Sequence, residues 1–255
     1  MLSGVPQGSI LGPILFNIFI NDLYLWFDIS NLANYADDNT LSAFANSIPE
    51  LLKILETDSE IAVNWFSEND MIANADKFQV MIINRCGRYS ELQKLKISGF
   101  EISTKEHVEL LGITIDNKLN FNRHNGDLCR KAAAQLNTIC RYNRYIGFDE
   151  KKALIESFVQ SNFNYCPLVW MLTSPSSTRK IERIQERALR ILYNDYNSNY
   201  NELLDKTNRS SVSVRMHQVL ACEVFKTLNG YNPSYTRDII LSKTREIIPD
   251  TPIIY

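Results

Sequence analysis

The feature that most constrains this chain is a change of pattern near residue 120. Before it, short apolar runs are broken by turn residues, as in "LANYADDNTLSAF" (32–44) and "LKISGFEI" (95–102). After it, "DLCRKAAAQLNTICRYNRYI" (127–146), "DEKKALIESFVQSNF" (149–163) and "STRKIERIQERALRILYN" (177–194) carry apolar residues at helical spacing. Two more helices are expected at 200–206 and 212–229. Strands gathered in one half and helices in the other indicate an α+β fold rather than an alternating one. The expected divisions are a mixed part over 1–120, an all-helical part over 121–230, and a C-terminal tail, 231–255. The last dozen residues, with Pro249 and Pro252, are expected to fray.

Within the first part, "GVPQGSILGP" (4–13) clusters Gly, Pro and Ser into a loop, with Pro13 suited to open a helix. The apolar run over 14–23 predicts a helix buried nearly all round. Residues 32–44 read as two short strands, with Asp37, Asp38 and Asn39 supplying the turn. A helix over 48–70 should bury Leu52, Leu55, Ala62, Trp65 and Phe66. The turn "NADK" (74–77) leads to an expected strand at 78–83. A hairpin across Ser98-Gly99 follows, then another strand at 108–116 containing a glycine.

Composition removes several function classes. Five cysteines without a C-x-x-C pair indicate reduced thiols in an intracellular protein, cytoplasmic or nuclear, with no disulfide-linked partner. Three scattered histidines do not form a zinc signature. The run at 10–20 is too short to cross a bilayer and is broken by Gly12, Pro13 and Asn17, so neither membrane insertion nor secretion is expected. The net charge of −2 conceals an asymmetry: residues 1–119 hold 8 basic and 16 acidic side chains, whereas 120–195 hold 12 basic and 7 acidic. An acidic half that calls for cations adjoins a basic half that can hold phosphates, although the basic part equally fits ordinary solvated helix faces.

Asp37 and Asp38 sharpen the question. Neighbouring carboxylates repel unless a cation holds them, yet Asp is also a preferred turn residue. Taken alone the pair fits either role. What separates the two is the order of surrounding features: a Gly-rich loop, a buried helix, an Asp-Asp hairpin, a lysine turn, further hairpins and a basic helical part.

In that order, "GVPQGSILGPILFNIFINDL", "YADD", "NADKFQVMI" and "ELLGITIDNKLNFNRH" resemble consecutive motifs of the reverse transcriptases of non-LTR, LINE-like retrotransposons. "FNYCPLVW" and "KIERIQERALRIL" are similar to the thumb region of the same family, so the resemblance runs from about residue 3 to residue 230. It implies the C-terminal part of a right-hand polymerase palm, an antiparallel sheet with helices, followed by a helical thumb. It further implies RNA-directed DNA polymerase activity with an RNA template, a DNA primer and deoxynucleoside triphosphates. Such transfer uses two divalent ions, Mg²⁺ or Mn²⁺, about 4 Å apart and held by hard carboxylate oxygens.

The resemblance also distributes roles. Asp37 is the direct metal ligand and Asp38 the supporting one. Gly4, Pro6, Gln7, Gly8 and Tyr35 shape the floor for template and incoming nucleotide, glycine permitting close backbone approach. Lys77 falls near the triphosphate, as charge stabiliser or proton donor, or else is a solvated turn lysine. Leu111 and Gly112 fit the primer grip, and core packing explains Leu111 as well. Arg130, Lys131, Arg141 and Arg144, with Tyr142 and Tyr145 between them, read as a phosphate-tracking face or an ordinary amphipathic surface. "KIERIQER" (180–187) reads as internal ion pairs. The family pattern needs a further Asp on a strand several dozen residues before the "PQG" loop, and nothing later substitutes for it. The expectation is a chain that does not polymerise by itself, the alternative being a non-catalytic nucleic-acid-binding remnant or a maturase-like RNA-binding protein.

Overall fold

The computed structural model describes residues 4–6, 8–84, 92–170 and 174–242, with side chains to 238. It is an α+β chain with short two-stranded sheets and many helices. Two compact units divide the described residues: one holds those up to Glu109 with Asp116–Leu119, the other Leu110–Ile115 and those from Asn120 to 242.

The first unit begins with α1 (Gly12–Ile20), which has Pro13 in its first turn and runs into a 3₁₀ turn, Asn21–Trp26. Strands β1 (Asn31–Tyr35) and β2 (Asp38–Ser42) form an antiparallel hairpin. Helix α2 (Ile48–Glu68) starts at Ser47, whose hydroxyl accepts the Glu50 N–H, and Pro49 costs nothing where no N–H partner exists. Its buried stripe is Leu51, Leu55, Asp58, Ala62 and Trp65, the spacing of one helix face. The expected Leu52 and Phe66 pack at its margin and are half-buried. Leu51 and Leu55 join Ala43 and Leu95 in one cluster, while Trp65 joins Ile20 and Leu23 in another. Each fully buried leucine contributes about 2 kcal/mol. Asp58, a carboxylate inside the stripe, accepts the Ser30 N–H at 3.1 Å.

Strands β3 (Lys94–Ile97) and β4 (Phe100–Ser103) pair across Ser98 and Gly99, whose φ of 49° and 81° suit a two-residue hairpin turn. Carboxylates from α2 reach this hairpin: Glu56 accepts the Lys96 N–H at 2.8 Å and Glu60 the Ser98 N–H at 2.5 Å. The segment 113–116 is not the end of a single strand. Strands β5 (His107–Leu110) and β6 (Ile113–Asp116) pair with each other across Leu111-Gly112, because that turn takes φ of 49° and 76°.

Two expectations are corrected here. Helix α1 is not buried all round: Ile20 and Gly12 are buried, but Ile14, Leu15, Ile18 and Phe19 are 43–68% exposed. Among the described residues α1 packs along one stripe, Phe16, Phe19 and Ile20 meeting the Trp65 cluster. Residues 78–83 are extended but do not form a strand: Val80 alone bridges Thr104, in parallel. Met81 and Ile83 are nevertheless buried, which accounts for the apolar pattern.

In the second unit, α3 (Asn122–Arg141) is followed by one long helix with an internal change of pitch. It is α4 (Phe148–Leu154), a π segment (Ile155–Gln160) and α5 (Ser161–Asn164). Short α6 (Pro167–Trp170), then α7 (Pro175–Tyr193), α8 (Tyr200–Thr207), α9 (Val212–Leu228) and α10 (Ser234–Ser242) complete it. Helix α10 lies in the stretch expected only as tail. The core joins Ala132, Leu136 and Ile139 of α3 with Ile155, Val159, Phe163 and Trp170, and with Ile181, Ala188 and Ile191 of α7. Among the described residues, no helix is long and apolar enough to cross a membrane.

Candidate active site and nucleic-acid interface

The acidic pair sits at the tip of the β1–β2 hairpin. Tyr35 pairs with Asp38, so the two turn residues are Ala36 and Asp37 and the second carboxylate belongs to the strand. Three turn residues were expected; the register instead gives Asp38 and Asn39 to β2. Ala36 has φ 53°, a left-handed conformation in which its Cβ costs about 1–2 kcal/mol. Asn39 Nδ2 donates to the Asp37 carbonyl at 3.2 Å, tying the turn to the strand. Tyr35, Asp37 and Asp38 are all exposed. Adjacent hard oxygen donors on a braced turn suit a divalent cation of the Mg²⁺ kind. Among the described residues, no group of three or more His, Cys, Asp or Glu side chains is placed to hold a metal ion.

The loop before α1 is a tight turn: the Ser9 N–H donates to the Pro6 carbonyl at 3.2 Å, with Gly8 at φ 81°. Gly4 likewise has φ 85°. At both glycines a Cβ would meet nothing within 4 Å, so backbone conformation selects them and the surface above is open. Gln7 lies outside the described residues. Lys77 is exposed at the end of a 3₁₀ turn (Ala75–Lys77) that opens with Asn74 Oδ1 accepting the Asp76 N–H at 3.0 Å.

The Leu111-Gly112 turn is tethered from the helices. Tyr165 donates its hydroxyl to the Leu111 carbonyl at 2.7 Å, and the Thr114 N–H donates to His124 Nδ1 at 3.3 Å. His124 is buried near the start of α3, and its Nε2 has no partner among the described residues. Burial holds its pKa below the usual imidazole value, with Asp127 partly opposing. A neutral ring accepting at Nδ1 carries its proton on Nε2.

Arg130, Lys131, Arg141 and Arg144 are all exposed. Arg130 and Arg141 stand eleven residues apart on α3, about 20° from the same azimuth and about 16 Å along the axis. Arg130 is held by Asp127 in an exposed ion pair. Tyr142 and Tyr145, after the helix, are 56% and 86% exposed. Asn137 lies on the Arg130–Arg141 line, and Arg187 of α7 donates to its Oδ1 at 2.7 Å. Arg187 therefore joins this row. The internal pairing expected of "KIERIQER" is met at Glu186 and not at Glu182. Arg190 pairs with Glu186, while Glu182 accepts from Tyr200 and from the Ser213 N–H at the start of α9. Arg187, His124 and Tyr165 lie inside stretches that carry the family resemblance, but their roles were not assigned from sequence, since each contact spans ten to fifty-four residues.

Residues 2–115 match the family model for reverse transcriptase (RNA-dependent DNA polymerase). The probable RNA-directed DNA polymerase from transposon BS of Drosophila melanogaster is 27% identical over 206 residues, covering 75% of this chain and 22% of that protein. The RNA-directed DNA polymerase from mobile element jockey, also of Drosophila melanogaster, is 26% identical over 199 residues, covering 74% and 21%. A retrovirus-related Pol polyprotein from the type-1 retrotransposable element R1 of Bradysia coprophila is 26% identical over 123 residues, covering 48% and 12%. The chain thus spans about a fifth of the length of the first two curated relatives. No solved structure matches.

Proposed function

We propose, from the match of residues 2–115 to the reverse transcriptase family, that the chain is part of a retrotransposon RNA-directed DNA polymerase of the non-LTR, LINE-like kind. The observation that carries this reading is the exposed acidic pair on the β1–β2 turn, following the "PQGSILGP" loop and helix in the family's order. Residues 1–120 are then part of the palm, 121–230 the thumb and 231–255 a tail. Asp37 and Asp38 would hold Mg²⁺ or Mn²⁺, which supplies charge neutralisation for nucleotidyl transfer when bound. The loop at Gly4, Pro6, Gln7 and Gly8, with Tyr35, supports template and nucleotide. Lys77 presents positive charge to the triphosphate. Leu111 and Gly112 contact the primer end. Arg130, Lys131, Arg141 and Arg144 track phosphates.

On this reading the acidic pair is an incomplete cage, since the family pattern calls for a further Asp before the "PQG" loop. The 255-residue chain by itself then binds a primed RNA template but does not extend it. A labelled DNA primer annealed to RNA, with deoxynucleoside triphosphates and Mg²⁺, tests both halves. Binding that weakens with salt, without synthesis, is the expected result. Efficient extension abolished by Asp37→Asn would overturn the incompleteness and uphold the chemistry. No salt-sensitive binding at all would remove the nucleic-acid reading. The row of Arg130, Asn137, Arg141 and Arg187 favours a second reading, a binding module without catalysis.

A further inference from the structure

The Leu111-Gly112 turn is a two-residue loop with both φ values positive, at 49° and 76°. A leucine there is under strain that a glycine would not feel, so the conformation must be held by something outside the turn. Two side chains of the helical unit do so from opposite ends. Tyr165, which precedes α6, donates to the carbonyl of the strained residue itself at 2.7 Å. His124 accepts the N–H of Thr114, two residues beyond Gly112, at 3.3 Å. The residues between these bonds, with Leu110 and Ile115, cluster with the helical unit rather than with the neighbouring strand residues.

The two anchors differ in kind. Tyr165 is half-exposed and reaches the turn through its hydroxyl. His124 is 4% exposed, and its Nε2 is buried without a partner among the described residues. Leaving that N–H unpaired costs free energy that burying a leucine would avoid. Among the described residues, the polar bond the ring makes in return is the one to the turn. Thr114 has its N–H directed at a side chain from α3, and a phenylalanine in place of either anchor would fill much of the same volume without making the bond.

We infer that His124 and Tyr165 are positioning residues that fix the Leu111-Gly112 turn in its strained conformation, so that its exposed backbone is presented ready-formed to the primer end. The clause about the primer rests on the function proposed above; the anchoring does not. Neither side chain touches substrate. They act through the turn, where a displacement of the backbone would be felt by whatever it contacts.

The test uses the intact 255-residue chain and three variants. Tyr165→Phe removes only the hydroxyl. His124→Gln moves the amide one carbon out, away from the Nδ1 position. His124→Asn places an oxygen where Nδ1 stood. Amide hydrogen exchange is followed over 110–116 and over α7, and binding is compared for a recessed primer–template and a blunt duplex of equal length. Exchange over 110–116 should rise about fivefold in Tyr165→Phe and His124→Gln, the loss of one hydrogen bond, with α7 unchanged. His124→Asn should restore protection. Unchanged exchange over 110–116 in Tyr165→Phe, or a rise equal to that over α7, overturns the inference. If exchange rises locally while the preference for the recessed end stays as in the parent, the anchoring stands and the primer-contact reading of the turn falls.

Discussion

Ala36 and His124 show how single side chains trade local cost against position. Ala36 occupies φ 53° at the first position of a two-residue turn, where glycine is preferred. Ala36→Gly relieves about 1–2 kcal/mol of left-handed strain and gives back about 0.4–1 in chain entropy. A net gain of about 0.5 kcal/mol in urea denaturation is expected; a loss would show that the methyl group packs usefully. His124 gives a pH signature. Its folded pKa lies below the unfolded value because burial disfavours the charged ring. The unfolded chain therefore takes up the proton first as pH falls. Stability from this group is complete above about pH 6.5 and declines below it, down to the lowered folded value. Urea titrations between pH 7.5 and 5 should show that decline in the parent chain and its reduction in His124→Asn. The polar letters of such residues do not disclose burial: from sequence His124 is one of three scattered histidines, and its Thr114 partner lies ten residues away.

Among the elements, α2 and β3 match by arithmetic. Carboxylates four residues apart on a helix stand about 6 Å apart along its axis, and amides two residues apart on a strand about 6.6 Å. Glu56 and Glu60 therefore meet Lys96 and Ser98 in register, giving the amides that β4 does not engage an acceptor from the helix. Glu60→Ala should cost about 1 kcal/mol in urea denaturation, and Glu60→Gln, which keeps an oxygen acceptor, less. Equal losses would mean that charge rather than geometry matters. This scale also separates what sequence could and could not disclose. The β3–β4 hairpin was legible because Ser-Gly sits between alternating apolar residues, and α7 because its apolar residues recur at three and four. Residues 78–83 misled because periodicity reports burial, and Met81 and Ile83 are buried without a ladder partner. In the same way α1 carries the composition of a core helix while most of that surface meets none of the described residues.

At the level of the molecule, charge is segregated along the chain although its sum is close to zero. Binding driven by the basic row should show a salt dependence that the net charge of −2 would not suggest. Arg141→Gln and Arg187→Gln should each lower the slope of log affinity against log salt by about one, uniformly across duplex sequences. An unchanged slope in both would mean that these arginines serve the α3 surface alone. The acidic pair was readable as two letters, but its setting was not: which carboxylate occupies the turn depends on a register that only strand pairing fixes. The π segment at Ile155–Gln160 has a consequence of another sort. Its wider pitch accommodates a residue that an α-helix of the same span would not need. Point changes there can be absorbed by rotamers, and losing one codon, Ser157 for instance, would let the pitch tighten to that of an α-helix. Everything downstream would then keep its angular position, because the residue lost is the one the wider turn takes up. Phe163 would stay in the core it shares with Trp170, so this stretch should tolerate the loss of one residue far better than the gain of one.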